Sequence, residues 1–398
     1  MKSGKLLLLV LQLSLASGCG GGGSGSPVTL PTTPPSPTAA NVLNVTVNGS
    51  LCSSGSYPNK ACVSVTVCSP GTSTCQTIND ILLDTGSAGL RIFKQALTVP
   101  LTPINAGTGS LAECIQFADG RSDWGPVQTA SVILGNEPAV QVPIHVIEAT
   151  FGSLPGTCVS PETSPQVAGF NGILGVGLFA QDCGAECAAR AGTGIYFSCS
   201  GVSCIGAAVP LASQVQNPVA LLPLDNNGVI VQIPAVPAAG EAFVNGQVVL
   251  GIGTQSNNTP SGVTAYPASA FGDFTTVFNG VTYTSFIDSG SNGLFISAPP
   301  SQLPVCSAPN AGWFCPPSTT SFTATNTGAT GSPSEQVSFK IGNATALFSI
   351  SSNHVFAELG GPSPSGFDWG LPFFYGRNVF FGIEGKSSSL GSGPYWAY

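Results

Sequence analysis

The sequence predicts an all-β protein built from two related lobes, and three observations carry that prediction. Only 7% of the 398 residues are charged, while Gly numbers 51 and Pro 33, so turn formers are abundant. Between them recur short Val/Ile/Thr/Phe runs, and stretches with a helical period are scarce. Third, one motif occurs twice. ILLDTGSAGLRI at 81–92 and SFIDSGSNGLFI at 285–296 share D-[TS]-G-S-x-G-L-x-I, with an offset of 204 residues from Asp84 to Asp288. Two copies of so long a motif imply two related lobes. Hydrophobic residues make up 42% of the chain, enough to bury a core.

The first elements are an address rather than part of a fold. Lys2 and Lys5 form a basic start, Leu6 to Leu15 a short apolar run, and Ala16-Ser17-Gly18 lead into Cys19. Small residues ending in a cysteine resemble a bacterial lipobox, which implies a signal peptide over 1–18 and lipidation of Cys19. The apolar run is too short for a permanent spanning helix. Gly20 in second position is unlike the Asp that retains bacterial lipoproteins at the inner membrane. The expected location is therefore the outer membrane or cell surface, with the lipid as the sole membrane contact. Residues 19–40 continue as an uncharged Gly/Pro/Ser/Thr tether.

Twelve further cysteines form an even set, which in an exported chain reads as a disulfide framework. Ten precede residue 210. Cys306 and Cys315 stand apart and are expected to pair with each other. A metal site of Cys183, Cys187, Cys199 and Cys204 is the competing reading, disfavoured by loose spacing and by export; no metal or other cofactor is expected.

From Asn41 onward the strand candidates follow one another: NVLNVTVNG, CVSVTVC, VQTASVILGNEPAVQVPIHVI, GVIVQIPAV, GQVVLGIG and TTVFNGVTYTSFID. CGAECAARAG is a helix candidate of about two turns. The GILGVG and GIGT runs lack the helix start and acidic partner of a nucleotide site, so they read as strand and turn glycines. Net charge is −8, and −10 without Lys2 and Lys5, with no basic patch to displace counterions, so nucleic acid is excluded as a partner.

The repeat is where chemistry is expected. An apolar strand runs into Asp84 or Asp288, followed by Thr85, Gly86 and Ser87 or by Ser289, Gly290 and Ser291. One such turn is an ordinary carboxylate cap. Two facing copies bring their carboxylates together, and like charges at close range share one proton, giving one base and one acid. His145 and His354 read as packed or surface strand residues. Ser87 and Ser291 lack an activating base, so a serine hydrolase is excluded.

These residues resemble the pepsin-like aspartic peptidases, and the chain is also similar to bacterial exported proteins of unassigned activity that carry such signatures. The resemblance extends to Phe170–Gly177 as the segment crossing behind the first loop, and to Trp369–Arg377 as its partner, with Pro372 where Gly is usual. Cys114 to Gly125 resembles the hairpin flap. It implies a two-lobed β-barrel or sandwich with a central cleft, an N-terminal lobe over 41–240 and a C-terminal lobe over 241–398. It also implies Asp84 and Asp288 as catalytic carboxylates, with Phe117, Gly120 and Trp124 on the flap against substrate. The flap has Phe117 where the family has Tyr, and the first loop has Ala88 and Arg91 where Ser and Trp are usual; Trp124 is the candidate replacement for that indole. The implied activity is metal-free hydrolysis of an extended peptide or protein by a monomer. The alternative is a catalytically inactive surface module of the same shape that binds a protein or glycan.

Overall fold

The structure is a computed structural model and describes residues 39–53, 57–364 and 366–398. The leader, Cys19 and most of the tether lie outside the described residues. What is described is mostly β, arranged in barrel-like and half-barrel sheets.

In the first half, Ala61–Cys68 and Cys75–Asp84 form a hairpin in which Cys68 sits opposite Cys75. Alternation decides the faces: Val63, Val65 and Val67 are all buried on one side of the first strand. The second strand is different at its end. Ile81-Leu82-Leu83-Asp84 is buried without a break, as a strand covered on both faces requires. Gly172–Val176 lies parallel to it, pairing Gly175 with Asp84, and antiparallel to Ala88–Phe93. Val140–Ile147 then runs parallel to Ala88–Phe93.

The second half repeats this arrangement in a separate seven-stranded sheet. Val281–Ile287 leads into Asp288, and Phe367–Trp369 lies parallel to it and antiparallel to Leu294–Ile296. Gly360–Pro362 runs parallel to Leu294–Ile296, as Val140–Ile147 does to its partner. The repeat in the sequence is thus matched by a repeat in strand pairing.

The two halves share strands as well as a core. Val244–Leu250 pairs with both Val42–Val47 and Gly228–Ile233, and Arg377–Gly382 bridges Gly228–Ile233 and Tyr395–Ala397. The expected boundary at 240 therefore falls between strands of one sheet. Leu83, Leu174, Ile287 and Trp369 belong to one continuous apolar core, so the two Asp-bearing strands rest on common ground.

Six disulfides join 52–62, 68–75, 114–158, 183–187, 199–204 and 306–315. Cys306 pairs with Cys315 as expected, and the four cysteines of the metal reading form two of the bridges. Such a set suits an extracellular or periplasmic compartment. Among the described residues no helix is long and apolar enough to cross a membrane. The helix candidate shortens to Ala185–Ala189, since Cys187 bonds back to Cys183 and Gly192 and Gly194 follow at positive φ.

Candidate active site

Asp84 and Asp288 end equivalent strands and meet at one backbone donor. The Gly86 N–H lies 2.8 Å from Asp84 Oδ1 and 3.2 Å from Asp288 Oδ1. Each carboxylate is held by its own turn as well. Ser87 Oγ donates to Asp84 Oδ2 at 2.5 Å and Ser291 Oγ to Asp288 Oδ2 at 2.7 Å, while the Gly290 N–H donates to Asp288 Oδ1 at 2.8 Å. Gly86 is required by contact: a Cβ there would stand 2.8 Å from Asp288 Cγ.

The turns are also laced to each other. The Thr85 N–H donates to Ser289 Oγ (3.1 Å) and the Ser289 N–H to Thr85 Oγ1 (2.9 Å). Their hydroxyls donate onward, Thr85 to the Ile287 carbonyl (3.3 Å) and Ser289 to the Leu83 carbonyl (2.8 Å). This reciprocal network fixes the two carboxylates against each other with almost no freedom. Both are fully buried. Burial, and then the neighbouring Asp84 charge, pushes the Asp288 carboxyl well above the usual range, so it stays protonated where an ordinary Asp is ionised.

The crossing segments explain why Pro372 is tolerated. Gly175 and Gly370 occupy equivalent places in the two registers, and a Cβ on Gly370 would stand 2.0 Å from the Gly293 carbonyl. In the first half the Gly177 N–H donates to the Ser87 carbonyl; in the second the Leu371 N–H donates to that of Ser291. The bond moves one residue earlier, and the missing N–H of Pro372 is not needed.

The hairpin expected as the flap forms from Gly109–Gln116 and Ser122–Ile133, turning through Phe117–Arg121 with Gly120 at φ +86°. Its aromatic residues do not sit where the resemblance implies. Phe117 is 5% exposed and packs with Leu82, Phe93, Phe170 and Ile173. Trp124 is fully buried between the Cys114–Cys158 bridge and Phe197, and its indole N–H donates to the Phe151 carbonyl at 2.7 Å. It is a structural residue of the hairpin, and the replacement role expected for its indole is not supported by this position.

Tyr57 and Asp368 escape the sequence reading, and Arg91 shows there only as a departure. Tyr57, packed against the cluster that holds Phe117, has a buried hydroxyl with no hydrogen-bond partner among the described residues and lies within the electrostatic reach of Asp80, Asp84 and Asp288. Asp368 is a further fully buried carboxyl beside the dyad. Arg91 anchors a buried cluster, donating to Glu113 at 3.1 Å and Asp182 at 3.0 Å. In the same cluster His145 Nδ1 lies 3.1 Å from Glu113 Oε2, and Tyr196 donates to Asp182 at 2.6 Å. His145 is thus a packed residue and His354 an exposed one.

A cavity of about 330 Å³ opens beside the dyad. Its walls include Gly86, Ser87, Ile115, Phe179, Phe286 and Trp396, drawn from both halves and from the flap strand. It is of the size that holds one side chain or a short segment of an extended chain.

No curated protein matches the chain. Over residues 37–398 it matches the family described as "Protein of unknown function (DUF3443)", and with nearly its whole length so covered the chain belongs to that family.

Proposed function

We propose that the protein is an aspartic-type endopeptidase of the pepsin-like class, hydrolysing an extended peptide in the cleft between its lobes. The observation that carries this reading is the pair Asp84 and Asp288, two buried carboxyls on symmetry-related turns that share the Gly86 N–H. A pair that serves only as turn caps has no need to face its counterpart.

In this mechanism Asp288 holds the shared proton and Asp84 is the base. Asp84 takes a proton from a water held between the two carboxyls as the water oxygen bonds to the peptide carbonyl carbon. Asp288 gives its proton to the carbonyl oxygen, so a neutral diol forms. Collapse of the diol breaks the C–N bond, with one proton passing to the leaving nitrogen and one returning to the dyad. Two carboxyls at such short range divide the labour in this way because they cannot both ionise. No step forms a covalent enzyme intermediate.

The alternative of a non-catalytic module binding a protein or glycan is favoured by one observation, the packed Phe117 in place of a hydroxyl over the dyad. Asp84→Asn and Asp288→Asn separate the two. Each is expected to lower cleavage of a peptide library between about pH 3 and 8 by at least about a thousandfold, with the fold retained. A wild type that cleaves nothing in that range while still binding a partner defeats the peptidase reading.

A further inference from the structure

The cavity beside the dyad is bounded on one side by a turn from the second half that carries both an apolar side chain and a carboxylate. Ser269 organises this turn. Its N–H donates to the Asp273 carbonyl at 2.8 Å, and its hydroxyl accepts from the Phe271 N–H at 3.1 Å and the Asp273 N–H at 3.2 Å. Gly272 stands at φ +79°, and a Cβ there would lie 2.9 Å from the Phe179 ring, so the turn abuts the wall that the first half supplies. Phe271 and Asp273 both line the cavity. Phe271 is 54% exposed, and Leu211, on the first half's side of the same cavity, is 43% exposed. Large apolar side chains left open on a cavity wall are surface that a bound chain covers.

The charges on these walls do not balance. Arg91, Asp182, Asp273 and Glu384 line the cavity. The first two cancel: Asp182 receives Arg91 Nη2 on Oδ2 at 3.0 Å and the Tyr196 hydroxyl on Oδ1 at 2.6 Å, so both its oxygens are engaged inside the protein. Among the described residues no cation pairs with Asp273 or Glu384. The turn uses the backbone of Asp273 and leaves its carboxylate without a hydrogen-bond partner among the described residues, while Glu384 Oε1 accepts a long bond, 3.4 Å, from the Ala180 N–H. We propose that this cavity is a specificity pocket for a basic side chain, lysine or arginine, of an extended peptide. The methylene stem lies among Phe179, Phe271 and Leu211, and the cationic head meets the Asp273 and Glu384 carboxylates. Burial raises the Asp273 carboxyl to about 6, which leaves it ionised at neutral pH and short of water, a state that a bound cation relieves. The proposal deepens the peptidase reading and rests on it for the cleavage of the bound peptide, not for its binding.

Two measurements on the full chain keep binding and cleavage apart. Binding is measured in the Asp288→Asn background, which is expected to turn over no peptide. The probes are pools of extended peptides, random except at one position that holds lysine or norleucine, the same four-carbon stem without the charge. At about pH 7 the lysine pool should bind at least about tenfold tighter at one placement of the fixed residue. Adding Asp273→Asn and Glu384→Gln, which keep the side-chain shapes and the acceptor for the Ala180 N–H, should bring the two pools within about twofold by weakening the lysine pool alone. Asp273→Lys should turn the preference toward a glutamate pool. Lysine and norleucine pools that bind equally, or not at all, overturn the proposal, and so does a preference that survives the double substitution. The second measurement is cleavage of the same pools by the chain with Asp288 in place. There kcat/KM should favour lysine or arginine at one position, and Asp273→Asn with Glu384→Gln should remove that preference. A chain that binds the lysine pool in this way and cleaves none of it sinks the peptidase reading and supports the pocket. Cleavage with no preference for a basic residue at any position overturns the pocket and leaves the peptidase reading standing.

Discussion

Tyr57 carries a phenol within electrostatic reach of Asp84 and Asp288, where the hairpin expected as the flap has only Phe117. The flap aromatic is Phe117, turned into a cluster with Leu82, Phe93 and Ile173, and the phenol packed against that cluster comes from the segment before Ala61–Cys68 instead. Its hydroxyl is buried without a partner among the described residues, and burial first, then the Asp80, Asp84 and Asp288 charges, hold it protonated. A buried donor left open beside a reacting centre is the kind of group a substrate completes. Tyr57→Phe is therefore expected to lower kcat/KM about tenfold with little change in melting temperature. Phe117→Tyr, by contrast, puts a hydroxyl into an apolar cluster. It should cost about 1–3 kcal/mol of stability and leave turnover no higher. A Phe117→Tyr variant that is both stable and faster would show that the flap, not Tyr57, is the place for the hydroxyl.

At the scale of elements, the strand Ala88–Phe93 does more than follow the first Asp-bearing turn. Arg91 in that strand ties Glu113 of the flap hairpin to Asp182 beyond the crossing segment, so the turn, the flap base and one wall of the cavity share a single buried cation. From the sequence Arg91 was legible only as a departure, the place where Trp is usual. Nothing local announces its partners, which lie 22 and 91 residues away. The same reason separates what was readable from what was not. The two Asp-bearing turns, the crossing segments and the Cys306–Cys315 pair were readable because each is specified by contiguous residues. Trp124, Tyr57 and Asp368 take their roles from contacts across the chain, and the eventual direction of a side chain is not written in its neighbours. Pro372 was readable as an irregularity, but its harmlessness depends on the Leu371 N–H reaching Ser291. Removing the cation tests the element-scale claim. Arg91→Met leaves two carboxylates buried without it and should cost about 3–5 kcal/mol in urea unfolding. Adding Glu113→Gln and Asp182→Asn should return much of that loss. A single variant as stable as wild type would show that Arg91 does not hold these elements together.

The whole molecule concentrates buried acids. Asp288 and Asp368 lie at the junction of the two halves, and Asp123 lies in the flap hairpin with neither carboxyl oxygen hydrogen-bonded among the described residues. Burial raises all three, Asp123 to about 7. Each binds its proton more tightly folded than unfolded, so each gives stability that is complete below the unfolded value near 3.8 and is lost as pH rises through the folded value. Glu113, Glu137 and Asp273 are raised in the same sense, Asp273 to about 6, while buried Lys60 and His145 are lowered and oppose them, Lys60 on the alkaline side. His145, buried and held well below the usual imidazole range, loses stability as pH falls below about 6.5 because the unfolded chain then takes up a proton the fold refuses. The raised acids outnumber the histidine and leave the folded protein with the greater proton uptake between about pH 4 and 7, at about 1.4 kcal/mol per pH unit for each net proton. The molecule should therefore be most stable near about pH 4–5 and lose stability steadily toward pH 8. Asp123→Asn should flatten the part of that fall around pH 7, a loss that belongs to the flap hairpin rather than to the dyad. Calorimetry at constant ionic strength measures the curve, and a melting temperature that rises from pH 5 to 8 would mean that these carboxyls are ionised in the folded protein, the dyad's shared proton with them.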